Sequence, residues 1–228
     1  MSNRPRPASN GMKKFLEYVL DFILPRSKNV RILEDMTPEK FRAAVAGSSG
    51  SDPAPKNALA VFDYKHPLVR QAVWELKYRG NKKITRLLAE CIHEELVEEL
   101  TERKSFENFE KPFLIPIPLS KKRLLERGFN QCELLVNALE TLDGRNFFEL
   151  RRDLLIKIRE TESQTKKNRA KRLENLKECF SVPEPEQITG RNVILIDDVT
   201  TTGATFEEAR RTLKRAGVRK ILCVAIAH

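Results

Sequence analysis

The sequence predicts an α/β fold: a mostly parallel sheet flanked by helices, preceded by an N-terminal amphipathic helix and a flexible linker. Three features carry that expectation. Val193–Ile196 (VILI) and Ile221–Ala227 are continuously apolar, as strands covered on both faces are. Segments of helical period separate the strand-like runs along the chain. Strands that alternate with helices build βαβ units and hence a parallel sheet.

Residues 1–11 are polar. In Met12–Pro25, Phe15, Leu16, Val19, Leu20 and Ile23 share one helical face. That face reads first as a surface packed on the core and second as a docking face for a membrane or a partner. Ala46–Lys56 (AGSSGSDPAPK) cannot bury apolar surface and reads as a linker. The expected organisation is therefore tail, helix and linker over residues 1–57, then one domain over 58–228.

Within that domain, Ala58–Tyr64 reads as a strand. Pro67 opens a helix and Gly80 stops it, with Leu68, Ala72, Val73 and Leu76 inward and Trp74 a packing residue. Ile84, Leu87, Leu88, Cys91, Ile92 and Leu96 mark a second helix. Phe113–Pro118 (FLIPIP) is a short strand whose prolines end it at a loop. Leu134, Leu135, Ala138, Leu139 and Leu142 stripe the next helix. Phe206, Ala209, Leu213 and Ala216 stripe a later one, capped by Gly217.

The 42 Lys+Arg against 32 Asp+Glu give a net charge of +10, which favours anionic partners: phosphorylated small molecules or nucleic acid. Cys91, Cys132, Cys179 and Cys223 form no C-x-x-C pair, so neither a zinc ribbon nor a disulfide framework is expected. Scattered free cysteines fit a reducing cytosol. No run approaches the roughly 18 apolar residues of a membrane span. His66, His93 and His228 show no ligand spacing.

Ligands of parallel sheets bind at the carboxyl ends of the strands. After VILI come Asp197 and Asp198, then Val199 and the run Thr200-Thr201-Thr202-Gly203-Ala204-Thr205, then a helix expected near Phe206. Two carboxylates can accept from the vicinal hydroxyls of a ribose. Threonine hydroxyls donate to a phosphate, Gly203 lets backbone N–H groups approach it, and the helix N-terminus favours the negative charge. Metal ligation by the acid pair and simple helix capping by the Thr/Gly turn are the alternatives; neither G-x-x-x-x-G-K-[ST] nor G-x-G-x-x-G occurs.

VILIDDVTTTGAT resembles the phosphoribosyl-pyrophosphate (PRPP) signature of the type I phosphoribosyltransferases. The resemblance implies that fold, ribose contacts by Asp197 and Asp198, and 5-phosphate contacts by Thr201, Thr202, Gly203, Ala204 and Thr205. It also implies PRPP with Mg²⁺, an ion carried by PRPP and not by a protein cage. Pro116–Gln131 (PIPLSKKRLLERGFNQ) resembles the block of the ComF family, which is linked to DNA uptake in natural competence. Leu76–Gly80 (LKYRG) resembles that family's L-K-Y-x-G element and singles out Lys77; Gln164, Arg172, Asn175 and Phe180 match its spacing. The family's four-cysteine zinc ribbon has no counterpart in Arg26–Lys56, although Leu20–Pro25 (LDFILP) survives, so no zinc is expected.

By the same resemblance Ser120, Lys121, Lys122 and Arg123 form a pyrophosphate loop; a solvated helix start is the plainer reading. Arg127, Gly128, Asn130 and Gln131 shape the site, and Phe129 is core. Ser163–Arg172 (SQTKKNRAKR) has five basic residues and no acidic one. It reads equally as a loop that closes over PRPP and as a strip for DNA phosphates. Two functions are expected on these grounds. One is phosphoribosyl transfer to an unidentified acceptor. The other is a non-catalytic protein that senses PRPP or a nucleotide and associates with single- or double-stranded DNA and competence proteins. No catalytic base stands out. The expected location is cytoplasmic, including the inner face of the membrane.

Overall fold

The computed structural model describes residues 28–46, 58–160 and 176–228. The Met12–Pro25 helix, nearly all of the Ala46–Lys56 linker, and the Ser163–Arg172 segment with Gln164 and Arg172 lie outside the described residues, as does Asn175.

The described strands are β1 (Leu59–Phe62), β2 (Phe113–Pro116), β3 (Glu149–Leu150), β4 (Ile156–Lys157), β5 (Phe180–Ser181), β6 (Asn192–Val199) and β7 (Lys220–Ala227). Five of them form one sheet in the order β1-β7-β6-β2-β3, and every neighbouring pair is parallel. β4 and β5 make a separate antiparallel ribbon. The helices are α1 (Lys28–Glu34), α2 (Pro38–Val45), α3 (Pro67–Trp74), α4 (Lys82–Glu107), α5 (Lys121–Arg127), α6 (Gln131–Leu142) and α7 (Ala204–Arg215), with a π turn over Glu75–Arg79.

Both faces of the sheet are covered, which explains its apolar strands. On β6, Ile194 and Ile196 join the core made with Val73, Leu88 and Leu139; Val193 and Leu195 join the opposite core with Phe206 and Leu213. The FLIPIP strand holds its place because Phe113–Pro116 pairs in register with Val193–Ile196.

Three elements differ from expectation. The helix opened by Pro67 does not run unbroken to Gly80: it passes into the π turn after Trp74. Its buried face is Val69, Ala72, Val73 and Leu76, with Leu68 only partly covered. Gly80 closes the turn at φ 57, and a Cβ there would meet Phe129 and Leu134 at 3.3 Å. The glycine thus serves both the left-handed backbone and a close approach. The helix expected near Phe206 begins two residues earlier, at Ala204, because Gly203 at φ 75 already turns the chain into it. Finally, α1 and α2 lie ahead of Ala58 yet pack into the sheet's core through Val30, Leu33, Phe41 and Val45. Thr37 caps α2 ahead of Pro38, and Phe41 meets Phe62 edge-on at 5.1 Å.

The sheet order locates the crevice for a ligand. From β2 the chain moves outward to β3; from β6 it moves the other way to β7. The carboxyl ends of the adjacent strands β2 and β6 therefore form a topological switch point, the place where open α/β sheets bind ligands. The loop leading to α5 leaves one of these ends, and the acid pair stands at the other.

Candidate functional site

Asp197 and Asp198 lie near the end of β6, which is buried from Asn192 to Asp198. Side chains alternate across a strand, so the two carboxylates part company. Asp198 Oδ2 lies 2.8 Å from Lys77 Nζ, and its Oδ1 accepts from Val199 N at 2.8 Å. Asp197 Oδ1 accepts from Asp198 N at 2.8 Å and from the Cys132 thiol at 3.5 Å. Burial, with the Asp198 carboxylate second, pushes Asp197 up to about 7. Burial works against the Lys77 ammonium, but the Asp198 charge and hydrogen bond outweigh it, so its value is raised. Burial, then Asp197, hold the Cys132 thiol well above its ordinary value.

The loop beyond the pair leads straight into α7. Thr200 N donates to Ala227 O at 2.9 Å, which ties the loop to β7. Thr202 Oγ1 accepts from Ala204 N at 3.4 Å. Gly203 occupies the N-cap and supplies no side-chain cap of its own, so beyond the Ala204 amide, which Thr202 takes, the first turn keeps its capacity to bind an anion. Thr201 is exposed, and Thr202, Gly203 and Thr205 are half-buried; Ala204 is buried and packs.

The second loop is tied to the first. Buried Asn130 caps α6 through Cys132 N at 3.0 Å and donates to Ile117 O at 3.1 Å. It joins the end of β2 to the helix that carries Cys132. Gly128 ends α5 at φ 77. Arg127 donates to Gln131 Oε1 at 2.9 Å and lies 5.3 Å over the Tyr78 ring. Trp74, read as a packing residue, stands 5.4 Å from Tyr78, and Arg79 lies 5.3 Å over Trp74. The π turn therefore puts Lys77 on the acid pair and Tyr78 against Arg127.

Ser120 is buried and caps α5 through Arg123 N at 3.4 Å. Lys121 and Lys122 are exposed, and Arg123 is half-buried. Glu160 accepts from Lys122 N at 3.0 Å; the Ser120 hydroxyl, then the Lys122 amide, draw its carboxyl below the ordinary value. Lys157, on β4, lies 5.6 Å over the Phe180 ring and senses both Arg123 and Asp197, while burial pulls its value down. Sequence reasoning missed Lys157, Glu160 and the contact of Cys132 with Asp197. The position of Cys132, directly after the RGFNQ block, was the one available signal.

Residues 133–228 match the phosphoribosyl transferase domain. Together with the parallel sheet and the strand–acid pair–loop–helix at its switch point, this defines a protein of phosphoribosyltransferase-type fold. Over 163 residues the chain is 31% identical to the DNA utilization protein YhgH of Salmonella typhimurium, covering 72% of this chain and 68% of that one. It is 41% identical over 104 residues to the competence protein ComFC of Bacillus subtilis. That alignment takes in 46% of this chain, and the chain spans only 39% of the Bacillus protein's length. The chain belongs to the ComF family. A solved hypoxanthine phosphoribosyltransferase of Staphylococcus aureus aligns over 61% of this chain and 62% of that one, at 15% identity and a TM-score of 0.33.

Proposed function

We propose that this protein binds PRPP with Mg²⁺ and transfers its phosphoribosyl group to an acceptor, releasing pyrophosphate. The observation that carries the reading is the acid pair at the end of β6 followed by the side-chain-free N-cap of α7. Carboxylate oxygens take ribose hydroxyls, and the first amides of α7 with Thr201, Thr202 and Thr205 take the 5-phosphate. Ser120, Lys121, Lys122 and Arg123 receive the pyrophosphate, with Lys157 added from β4. Arg127, Gly128, Asn130 and Gln131 hold that loop in place.

Among the described residues no group of three or more His, Cys, Asp or Glu gathers into a metal cage. The reading assigns the divalent ion to the oxygens of PRPP itself, as Mg²⁺ is bound with substrate phosphates elsewhere. When bound, the ion neutralises charge on the departing pyrophosphate. The protein's part is positioning the sugar between the two loops and stabilising the leaving group. The test is pyrophosphate release from Mg–PRPP across purines, pyrimidines and small amines. Release with one class of acceptor supports transfer; none with any acceptor, under conditions where PRPP binds, refutes it.

The net charge of +10 favours a second reading, in which the site senses PRPP or a nucleotide while a basic surface engages DNA. DNA affinity then falls steeply with salt, and a flat salt dependence refutes phosphate contacts. The cytoplasmic location, including the inner membrane face, is part of either reading. Among the described residues no helix is long and apolar enough to cross a membrane.

A further inference from the structure

The four oxygens of the acid pair are not equivalent. Asp198 Oδ1 is taken by Val199 N, and Asp198 Oδ2, out of solvent, is taken by Lys77. Asp197 Oδ1 is taken by Asp198 N and the Cys132 thiol. Among the described residues, Asp197 Oδ2 is the one oxygen of the pair that no other group contacts. Lys77 reaches its place because the π turn adds a residue to the helical turn, a local device common at functional sites. Phe129 closes on Gly80 at the end of that turn, and Arg127 lies over Tyr78 within it.

We propose that Lys77 is a positioning residue for the ribose subsite: by holding Asp198 Oδ2 it leaves Asp197 Oδ2 as the oxygen offered to a ribose hydroxyl. This rests on the reading of the acid pair as the ribose site. Asp198 then acts through Lys77 and not on the sugar, which separates two residues that the motif treats alike. Lys77 also sets the charge of the pair. Asp197 is faced by Asp198 on β6, Cys132 on α6, Lys77 on the π turn, Lys157 on β4 and Cys223 on β7. Lys77 and Lys157 are the cations in that set, and Arg127 opposes Lys77 from α5. Without the Lys77 ammonium, Asp197 keeps its proton to higher pH and loses acceptor strength at neutral pH.

The experiment measures ribose 5-phosphate binding by calorimetry between pH 6 and 9, on the full chain. Lys77→Met is expected to bind about fivefold more weakly than the native chain at pH 7, because a rise of about one unit from about 7 cuts the ionised fraction of Asp197 from about a half to about a tenth, and to recover most of that by pH 9. Lys77→Arg keeps the charge and is expected to stay within about threefold of native at pH 7. Lys77→Met binding as tightly as native at pH 7, or an equal loss at every pH, overturns the proposal. If the native chain binds no ribose 5-phosphate at any pH, the ribose reading fails. Carbon-13 titration of the Asp197 carboxyl in the free protein then decides: a midpoint raised by Lys77→Met supports the charge coupling, and an unmoved midpoint overturns it.

Discussion

Asp197→Asn tests the cost of assembling the acid pair. The substitution keeps the shape and keeps an oxygen for the Asp198 amide and the Cys132 thiol, while removing the charge. In the folded chain burial raises Asp197 from an ordinary 3.8 to about 7. Between those values the folded state holds a proton that the unfolded chain has released. Stability contributed by that proton is fully present below 3.8 and is lost as pH rises through about 7. A shift of this size corresponds to ~4 kcal/mol, and sharing of charge with Lys77 and relaxation around the pair reduce it to about 2–4 kcal/mol. Asp197→Asn is therefore expected to be more stable than the native chain by ~2–4 kcal/mol at pH 8 and by under ~1 kcal/mol at pH 4. Urea unfolding at both pH values measures the difference. A variant less stable than native at pH 8, or a gain independent of pH, refutes the reasoning.

Other perturbations separate the parts of the molecule. Phe41→Ala removes a fully buried ring that meets Phe62 and is expected to cost ~3–5 kcal/mol by urea unfolding, because α2 belongs to the sheet's core. Asn130→Ala loses the cap of α6 and the tie to Ile117, an expected ~1–2 kcal/mol by the same assay. Glu160→Gln removes the carboxylate charge that sits on the start of α5 and keeps an oxygen for the Lys122 amide. Inorganic pyrophosphate is then expected to bind about two- to fivefold more tightly by calorimetry, since a competing anion has been removed; weaker binding counts against a pyrophosphate loop at Ser120–Arg123.

The sheet and the acid pair were legible for one physical reason. Strands buried on both faces leave unbroken apolar runs, so VILI, FLIPIP and Ile221–Ala227 stand out, and the acid pair follows VILI directly. The split of Asp197 from Asp198 was available in the period of two along β6. The π turn was not: one added residue scarcely alters the periodicity of a short helix, and only Gly80 hinted at the close approach behind it. α1 and α2 are short, and their buried residues find partners only across the fold. Lys157 and Glu160 reach the site through the ribbon of β4 and β5 and a contact 38 residues apart, which local pattern does not encode.

The central claim is that the end of β6 and the start of α7 hold the phosphoribosyl group. Calorimetric titration of Mg–PRPP into the native chain and into the chain carrying Asp197→Asn with Asp198→Asn tests it most directly. Saturable binding by the native chain and its loss in the double variant are predicted. Absence of native binding, or binding that survives the double change, contradicts the account.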